Sequence, residues 1–455
     1  MKRKVALHNL GCKVNAYELE AMQQQLLEAG YEIVPFAPGA DAYVINTCTV
    51  TNIADRKSRQ MLHKAKKMNP QALVVAAGCY VQDGMDKLEA DDCVDVLLGN
   101  NRKKELVQVL EEAWAAGHAS RVIDINKTRE YESLSVSRTA EHTRAYIKVQ
   151  DGCNQFCSYC IIPFTRGRVR SRDKGEVCRE VETLAQNGYR EVVLTGIHLS
   201  SYGVDFPEEN KESLLSLIQA VHEISGISRI RLGSLEPRIV TEDFVAAIAA
   251  LPKVCPHFHL SLQSGCSRTL LRMNRKYTAQ EYARCCGLLR KYYEAPALTT
   301  DVITGFPGET EEDFEESRAF VEEIGFFETH IFPYSRREGT RAAAMEGQLP
   351  EAVKKARSRV LLDLDAVQRR RYMEQFLGKT LEILLEEQKE IDGQSLWVGH
   401  TREYLPAAVC PPEKGELGGD RQEDFSPTLA ANQLLRARAF GISGEGFLLC
   451  RILSE

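Results

Sequence analysis

Strand and helix signals alternate along this chain in two consecutive series, and that order admits few folds. In the first series 5–10 reads as a strand, 17–29 as an amphipathic helix and 42–47 (AYVINT) as a buried strand. A basic helix at 53–67, a strand at 72–77 (ALVVAA) and a helix at 102–116 complete it. Such alternation predicts a parallel sheet with helical crossovers. The polar stretch 127–143 lacks an apolar period and reads as a linker. The alternation then restarts, with strands at 145–149, 191–195, 229–235, 257–262, 298–303 and 328–333. Helices at 176–186, 212–223, 241–250, 280–292 and 311–324 lie between them. A closed eight-unit barrel usually needs ~250 residues. Six units in roughly 190 residues fit an open barrel instead.

A charged helix spans 350–376, and beyond Gly378 short β-like runs (TLEILLE, SLWVGH, LLRARAF, GFLLCRI) alternate with turn-rich spacers such as PPEKGELGGD. The expected class is α/β, in the order open parallel sheet, partial six-unit barrel, small all-β barrel. The expected boundaries are 1–120, a linker at 121–143, 144–349, a connecting helix at 350–376, and 377–455. No apolar run approaches the ~20 residues of a membrane-spanning helix. The start, MKRKVALHNLGCKVN, has no apolar core with a cleavage site, so a cytosolic protein is expected.

Fourteen cysteines are many for a reducing compartment, where metal or catalytic roles are favoured over disulfides. Three stand together in DGCNQFCSYC, a C-x3-C-x2-C loop of Cys153, Cys157 and Cys160 directly after the first strand of the second series. Thiolates are soft ligands that suit iron–sulfur clusters or zinc. Three of them can hold three corners of a cubane and leave the fourth iron open to a small chelating molecule. The competing reading is a zinc knuckle one ligand short, or a set of buried thiols. Structural zinc wants four protein ligands, and no fourth Cys or His lies nearby; Cys178 falls in a predicted helix. A second set, Cys12, Cys48 and Cys79, is scattered in sequence. Each lies just past the carboxyl end of a predicted parallel strand, where open α/β sheets bind ligands. Chance placement of apolar thiols competes with a second metal set here, and it is the default for the other eight cysteines.

The C-x3-C-x2-C loop after the first strand of a six-unit barrel resembles the radical S-adenosylmethionine (SAM) enzymes. The pieces GCKVNAYE, NTCTV, AGCY, GCNQFCSYCIIPFTRGRVRSR, LTGIHLSSYG, LGSLEP, HLSLQSG and DVITGFPGET are similar to one subfamily, the methylthiotransferases. That resemblance implies two [4Fe-4S] clusters. One, on Cys153, Cys157 and Cys160, chelates SAM and cleaves it to a 5′-deoxyadenosyl radical. The other, on Cys12, Cys48 and Cys79, handles the sulfur to be inserted. It further implies two SAM molecules per turnover, a tRNA substrate, an electron donor such as flavodoxin or ferredoxin, and an RNA-binding TRAM domain at the carboxyl end. GCKVN, NQFCSYCIIPF and TGIHLSSYG most resemble the branch acting on threonylcarbamoyladenosine in tRNA. The isopentenyladenosine and ribosomal-protein branches are the alternatives, with a non-catalytic zinc-dependent RNA-binding protein as the rival from another class. The sulfur donor is not legible, and nothing demands more than a monomer.

Contacts to substrate and cofactor are expected at two places. Arg166, Arg168, Arg170 and Arg172 leave the cluster loop in FTRGRVRSRDK with one acid among them and are expected to clamp tRNA phosphates; a solvated loop is the competing reading. The helix 56–67 is the weaker basic candidate, read as a solvated face. Gly196, His198, Glu236, Gln263, Gly305 and Tyr334 follow successive barrel strands and are expected to bind SAM, since barrel sites form at the carboxyl ends of strands. The carboxyl-terminal segment fits RNA poorly. From Tyr372 onward there are 8 basic and 14 acidic side chains, which leaves 50 of each in residues 1–371. Phosphate neutralisation normally drives RNA affinity, so only a local face with Arg436 and Arg438 would serve. The stretch 405–435 reads as an insertion.

Overall fold

The computed structural model describes residues 2–138, 143–411 and 429–453. Its first unit is a six-stranded sheet of β1 (Lys4–Asn9), β2 (Glu32–Val34), β3 (Ala42–Thr47), β4 (Leu73–Gly78), β5 (Val96–Leu98) and β6 (Ala119–Arg121) in the order β2-β1-β3-β4-β5-β6. Every pairing is parallel. Strands β3 and β4 are buried along their whole length, as continuous apolar runs flanked by helices on both faces should be. Helix α1 (Lys13–Glu28) follows β1, and α2 (Asn52–Met68) follows β3.

The second unit carries β7 (Arg144–Asp151), the two-residue antiparallel β8 (Arg170–Ser171), β9 (Glu191–Gly196), β10 (Arg229–Leu232), β11 (His257–His259), β12 (Ala297–Thr304) and β13 (Glu328–Pro333). Parallel pairing runs β7-β9-β10 and β11-β12-β13. Single bridges from Ile230 to Val254 and from Leu235 to Leu260 join the halves into an open six-stranded barrel. One continuous apolar core fills the space between the strands and their helices, where Ile147, Leu194, Ile230, Phe258 and Val302 meet Val181, Ile218, Val245 and Leu289.

The open side of the barrel is covered rather than left as two free edges. Helix α1 packs on β7, with Lys148 of β7 paired to Glu18 at 2.7 Å. Past the other edge strand, β13, Ser335 and Arg337 bind the start of α2: Asn52 N donates to Ser335 Oγ at 3.1 Å and Arg337 to Asn52 Oδ1 at 2.9 Å. The stretch expected to be a linker is a packed strap, a correction to the sequence reading. Leu134 and Val136 are buried against Tyr17 and Ala21, and the Tyr131 hydroxyl donates to the Lys148 carbonyl at 2.8 Å. It shows no period because its backbone is irregular and only isolated side chains point inward. Residues 139–142 of that stretch lie outside the described residues.

After the long helix Glu351–Glu374 comes a closed barrel of β14 (Thr380–Ile391), β15 (Gln394–Thr401), β16 (Pro406–Cys410), β17 (Leu434–Ile442) and β18 (Leu448–Ile452). Strand β16 and the first two residues of β17 fall inside the expected insertion; its residues 412–428, with most of the spacer PPEKGELGGD, lie outside the described residues. This barrel plugs the amino ends of the larger barrel's strands. Arg229 donates to Glu382 at 2.9 Å, Arg231 to the Thr401 and Arg402 carbonyls at 2.7 Å, and Arg144 pairs with Glu386. The Tyr404 ring lies under both Arg144 and Arg231, with centroids 4.8 and 4.7 Å from their guanidiniums.

Candidate active site

The C-x3-C-x2-C loop leaves β7 through Gly152, which has φ +70°. A Cβ there would stand 1.9 Å from the Arg168 carbonyl oxygen, so only glycine fits. The loop is clamped by backbone bonds from Cys153 N to the Gly167 carbonyl (3.0 Å) and from Ser158 N to the Met273 carbonyl (2.9 Å). Phe156 holds φ +50°, an uncommon conformation for a bulky residue, and its carbonyl accepts from Asn274 at 2.9 Å. Arg275 donates to Cys157 Sγ at 3.2 Å and to the Tyr277 hydroxyl at 2.8 Å. Burial pushes the Cys153 thiol up to about 11. Cys160 is raised as well, by burial first and then by Cys157. Thiols held this way keep their protons at neutral pH until a metal cation displaces them.

The six rim candidates stand at or just past the carboxyl ends of successive barrel strands. His198 Nδ1 meets Ser201 Oγ at 2.7 Å, while its Nε2 is buried with no partner among the described residues. Burial, helped by Arg275 and Arg238, pulls the His198 pKa down to about 4, so the ring is neutral and free to bond a polar ligand. Glu236 accepts from Arg238 at 2.8 Å, and its own N–H donates to Ser200 Oγ at 2.8 Å. Gln263 is a buried non-glycine at φ +74°, fixed by backbone bonds to Asp301 and Ile303. Gly305 has a local reason to be glycine, because a Cβ would meet Lys354 Cγ at 2.4 Å. At Gly196 the neighbour is Gln150 Oε1, at 2.8 Å. Tyr334 is buried, edge-on to Phe306. Sequence reasoning missed Gln150, which ties the start of the cluster loop to the second strand: it donates to the Gly152 carbonyl and accepts from His198 N, both at 2.7 Å. Its position at the end of β7 was the available signal. Arg275 was missed too, and being 118 residues from Cys157 it gave none.

The second cysteine set also converges. A Cβ on Gly11, the residue before Cys12, would touch Cys48 Sγ at 3.2 Å, and Cys79 lies within Coulombic range of both Cys12 and Cys48. Burial lifts the Cys48 thiol to about 11. Cys79 Sγ accepts from Arg166 Nε at 3.3 Å and from Asn100 Nδ2 at 3.6 Å. The three parallel strand ends bring these thiols together, as their positions predict.

The arginine run requires a correction. Arg166, Arg170 and Arg172 do not face solvent; each is at most 3% exposed. Arg166 is bonded to Glu18 (2.9 and 3.0 Å), Asp151 (3.1 Å) and Asn15 (2.6 Å). Arg170 pairs with Asp151 at 3.6 Å, and Arg172 pairs with Glu180 and donates to Tyr17. Guanidiniums committed to buried carboxylates cannot clamp phosphates. Only Arg168 is partly open, with its guanidinium 4.5 Å from the Phe156 ring centroid.

Neither cysteine set is shaped for one ion. Among the described residues, neither belongs to the side-chain groups whose ligand atoms all lie within 4.8 Å of one another. A cubane takes each thiolate on a different iron and suits that wider spacing, whereas zinc would draw three sulfurs onto one centre. An arginine N–H on one sulfur of each set suits anionic thiolate ligands as well.

Comparison with known proteins agrees with this geometry. Residues 4–99 match the Uncharacterized protein family UPF0004, and residues 147–321 match the Radical SAM superfamily. Threonylcarbamoyladenosine tRNA methylthiotransferase MtaB of Bacillus subtilis (strain 168) is 42% identical over 88% of this chain and 89% of its own. MtaB of Aquifex aeolicus is 41% identical over 85% and 94%. A tRNA-2-methylthio-N(6)-dimethylallyladenosine synthase of Clostridium novyi is 36% identical over 96% and 94%. Among solved structures, the radical SAM methyltransferase TsrM of Kitasatospora setae, with cobalamin and a [4Fe-4S] cluster bound, superposes with a TM-score of 0.56 at 17% identity over 75% and 74% of the chains, a likeness of fold. With relatives this similar across nearly its whole length, the chain belongs to the radical SAM tRNA methylthiotransferases.

Proposed function

We propose that this enzyme converts N6-threonylcarbamoyladenosine at position 37 of tRNA, beside the anticodon, to its 2-methylthio derivative. The relatives of that name cover most of the chain at up to 42% identity. The observation that carries the reading is structural: two sets of three thiols, each one ligand short, held by two units that share one buried charge network. Cys153, Cys157 and Cys160 hold the [4Fe-4S] cluster that binds SAM; Cys12, Cys48 and Cys79 hold a second. With SAM bound, the first supplies a carbon radical, which suits removal of hydrogen from adenine position 2, a bond without an acidic proton.

The remaining work falls to the polypeptide. Gln150 and Gly152 fix the cluster loop to the rim of the barrel. His198, Glu236, Gln263, Gly305 and Tyr334, with Gly196, form the rim on which SAM is oriented, the neutral His198 ring offering its unpartnered Nε2. The amino-terminal sheet covers the open side and keeps the second thiol set against the barrel. Arg168, with Arg436 and Arg438 on the exposed face of β17, remains for RNA phosphate. An electron donor such as flavodoxin or ferredoxin, a monomeric state and a cytoplasmic setting complete the reading; among the described residues no helix is long and apolar enough to cross a membrane.

Anaerobically purified protein should carry about eight irons per chain and no zinc. A deletion strain should lose the 2-methylthio form of threonylcarbamoyladenosine from its tRNA nucleosides and keep the isopentenyl form. One cluster's worth of iron, or loss of the isopentenyl form instead, overturns the proposal.

A further inference from the structure

The geometry points to Arg166 as the residue through which the barrel sets the reduction potential of the second cluster. This rests on the reading that Cys12, Cys48 and Cys79 hold one. Arg166 belongs to the barrel's cluster loop, yet its Nε donates to Cys79 of the sheet domain at 3.3 Å. It does so from inside a buried network with an uneven charge count. Lys103, Lys148, Arg166 and Arg170 are cations; Glu18, Asp151 and Glu132 are the carboxylates, and all seven are at most 3% exposed. Lys103 meets Glu18 at 3.2 Å, and Lys148 meets Glu18 and Asp151 at 2.7 Å. Burial alone would raise the Glu18 carboxyl, but Arg166, Lys103 and Lys148 hold it well below the usual carboxylate range; burial pushes Glu132 toward the neutral acid. At least one positive charge is therefore left over, buried and uncompensated by carboxylate.

A lone charge in such a place is costly unless a partner of opposite sign is present. Among the described residues, the one sulfur in direct hydrogen-bond contact with Arg166 is Cys79 Sγ. A cubane carrying three thiolates is an anion, and its reduced form carries one further negative charge. A surplus cation beside it, delivered through an N–H to a ligand sulfur, favours the reduced form and raises the potential. Three of the four cations, Lys148, Arg166 and Arg170, come from the barrel unit, and Lys103 from the sheet domain. The second site is thus electrostatically complete only when the sheet domain is docked.

The test uses the full-length chain with Cys153, Cys157 and Cys160 replaced by Ala, so that only the second cluster contributes. In that background Arg166→Gln keeps an N–H donor but removes the charge, and Glu18→Gln removes the nearest opposing charge. Redox titration followed by electron paramagnetic resonance should show the midpoint moving to more negative values in R166Q and to more positive values in E18Q. A residue that only holds the fold together would move both the same way or neither. If R166Q does not fold, the upward shift in E18Q decides alone, and its absence overturns the inference. Absence of iron in the triple-Ala parent overturns the underlying reading instead; iron present with unmoved potentials overturns only the role given to Arg166.

Discussion

Arg337 is the fastening whose removal should be felt furthest away. It follows β13 and is 4% exposed, and its guanidinium crosses to the sheet domain. There it bonds Asp55 at 2.5 Å, Asp83 at 2.7 Å, Thr49 Oγ1 at 2.9 Å and Asn52 Oδ1 at 2.9 Å. Thr49 is the residue after Cys48, so the latch holds the second thiol set. Removing one partner of a buried ion pair costs ~3–5 kcal/mol. Two facts pull Arg337→Ala to the low end. The Asp55 and Asp83 side chains keep 15% and 27% of their exposure. Burial already raises the Asp83 carboxyl against the opposing pull of Arg337, so without Arg337 it can take up a proton instead of staying charged. A cost of ~3 kcal/mol results, and at about 1.4 kcal/mol per decade the local opening of this contact becomes about a hundredfold more frequent. Hydrogen exchange read by mass spectrometry should show that loss of protection in peptides covering 47–58 and 79–84, with little change in β14 to β18. Adding Asp83→Asn should restore part of it by removing the stranded charge. Exposed Arg336, bonded to the Ala343 carbonyl at 2.9 Å, should give no comparable effect when replaced by Ala. Protection changed by less than about threefold in those peptides, or changed equally in the carboxyl-terminal barrel, refutes the latch.

The two thiol sets should separate by function: Cys157→Ala abolishes SAM cleavage, whereas Cys48→Ala leaves uncoupled cleavage but no methylthiolation, both read by chromatography of 5′-deoxyadenosine and modified nucleoside. His198 has a folded pKa of about 4 against 6.5 for the free side chain, so the folded state binds fewer protons between these values. Its contribution is whole above pH 6.5 and is lost as pH falls toward 4, by at most about 3 kcal/mol; His198→Gln should flatten the fall in urea midpoint between pH 7 and pH 5.

What the sequence could reveal follows the distance over which each feature is encoded. The C-x3-C-x2-C loop is legible because its three thiols sit in eight residues. Cys12, Cys48 and Cys79 are legible because a parallel sheet sends every carboxyl strand end to one edge, whatever the spacing between them. The arginine run misleads because its counter-charges lie elsewhere: Glu18 is 148 residues before Arg166. Asp151 and Glu180, only 15 and 8 residues from their partners, are closer and were a usable warning. Five basic residues against one acid looks like an RNA clamp only when the count stops at the ends of the run.

The open barrel explains why these long-range contacts exist. Six parallel strands leave β7 and β13 as edges, and a full barrel would have closed them with two more β/α units. Here α1, the strap through Leu134 and Val136, and the contacts of Arg337 close the gap instead. The closing element carries its own three thiols on the edge of a sheet, so the contacts that seal the barrel are the same ones that fix the distance between the two cysteine sets. Glu18, Lys148 and Arg166 are buried because they lie on that seam, and their charges matter to chemistry for the same reason. A substitution on the seam cannot loosen the barrel without also moving the second set, which is why hydrogen exchange around Thr49 and the redox behaviour of Cys79 should respond together to changes in residues that touch neither substrate nor SAM.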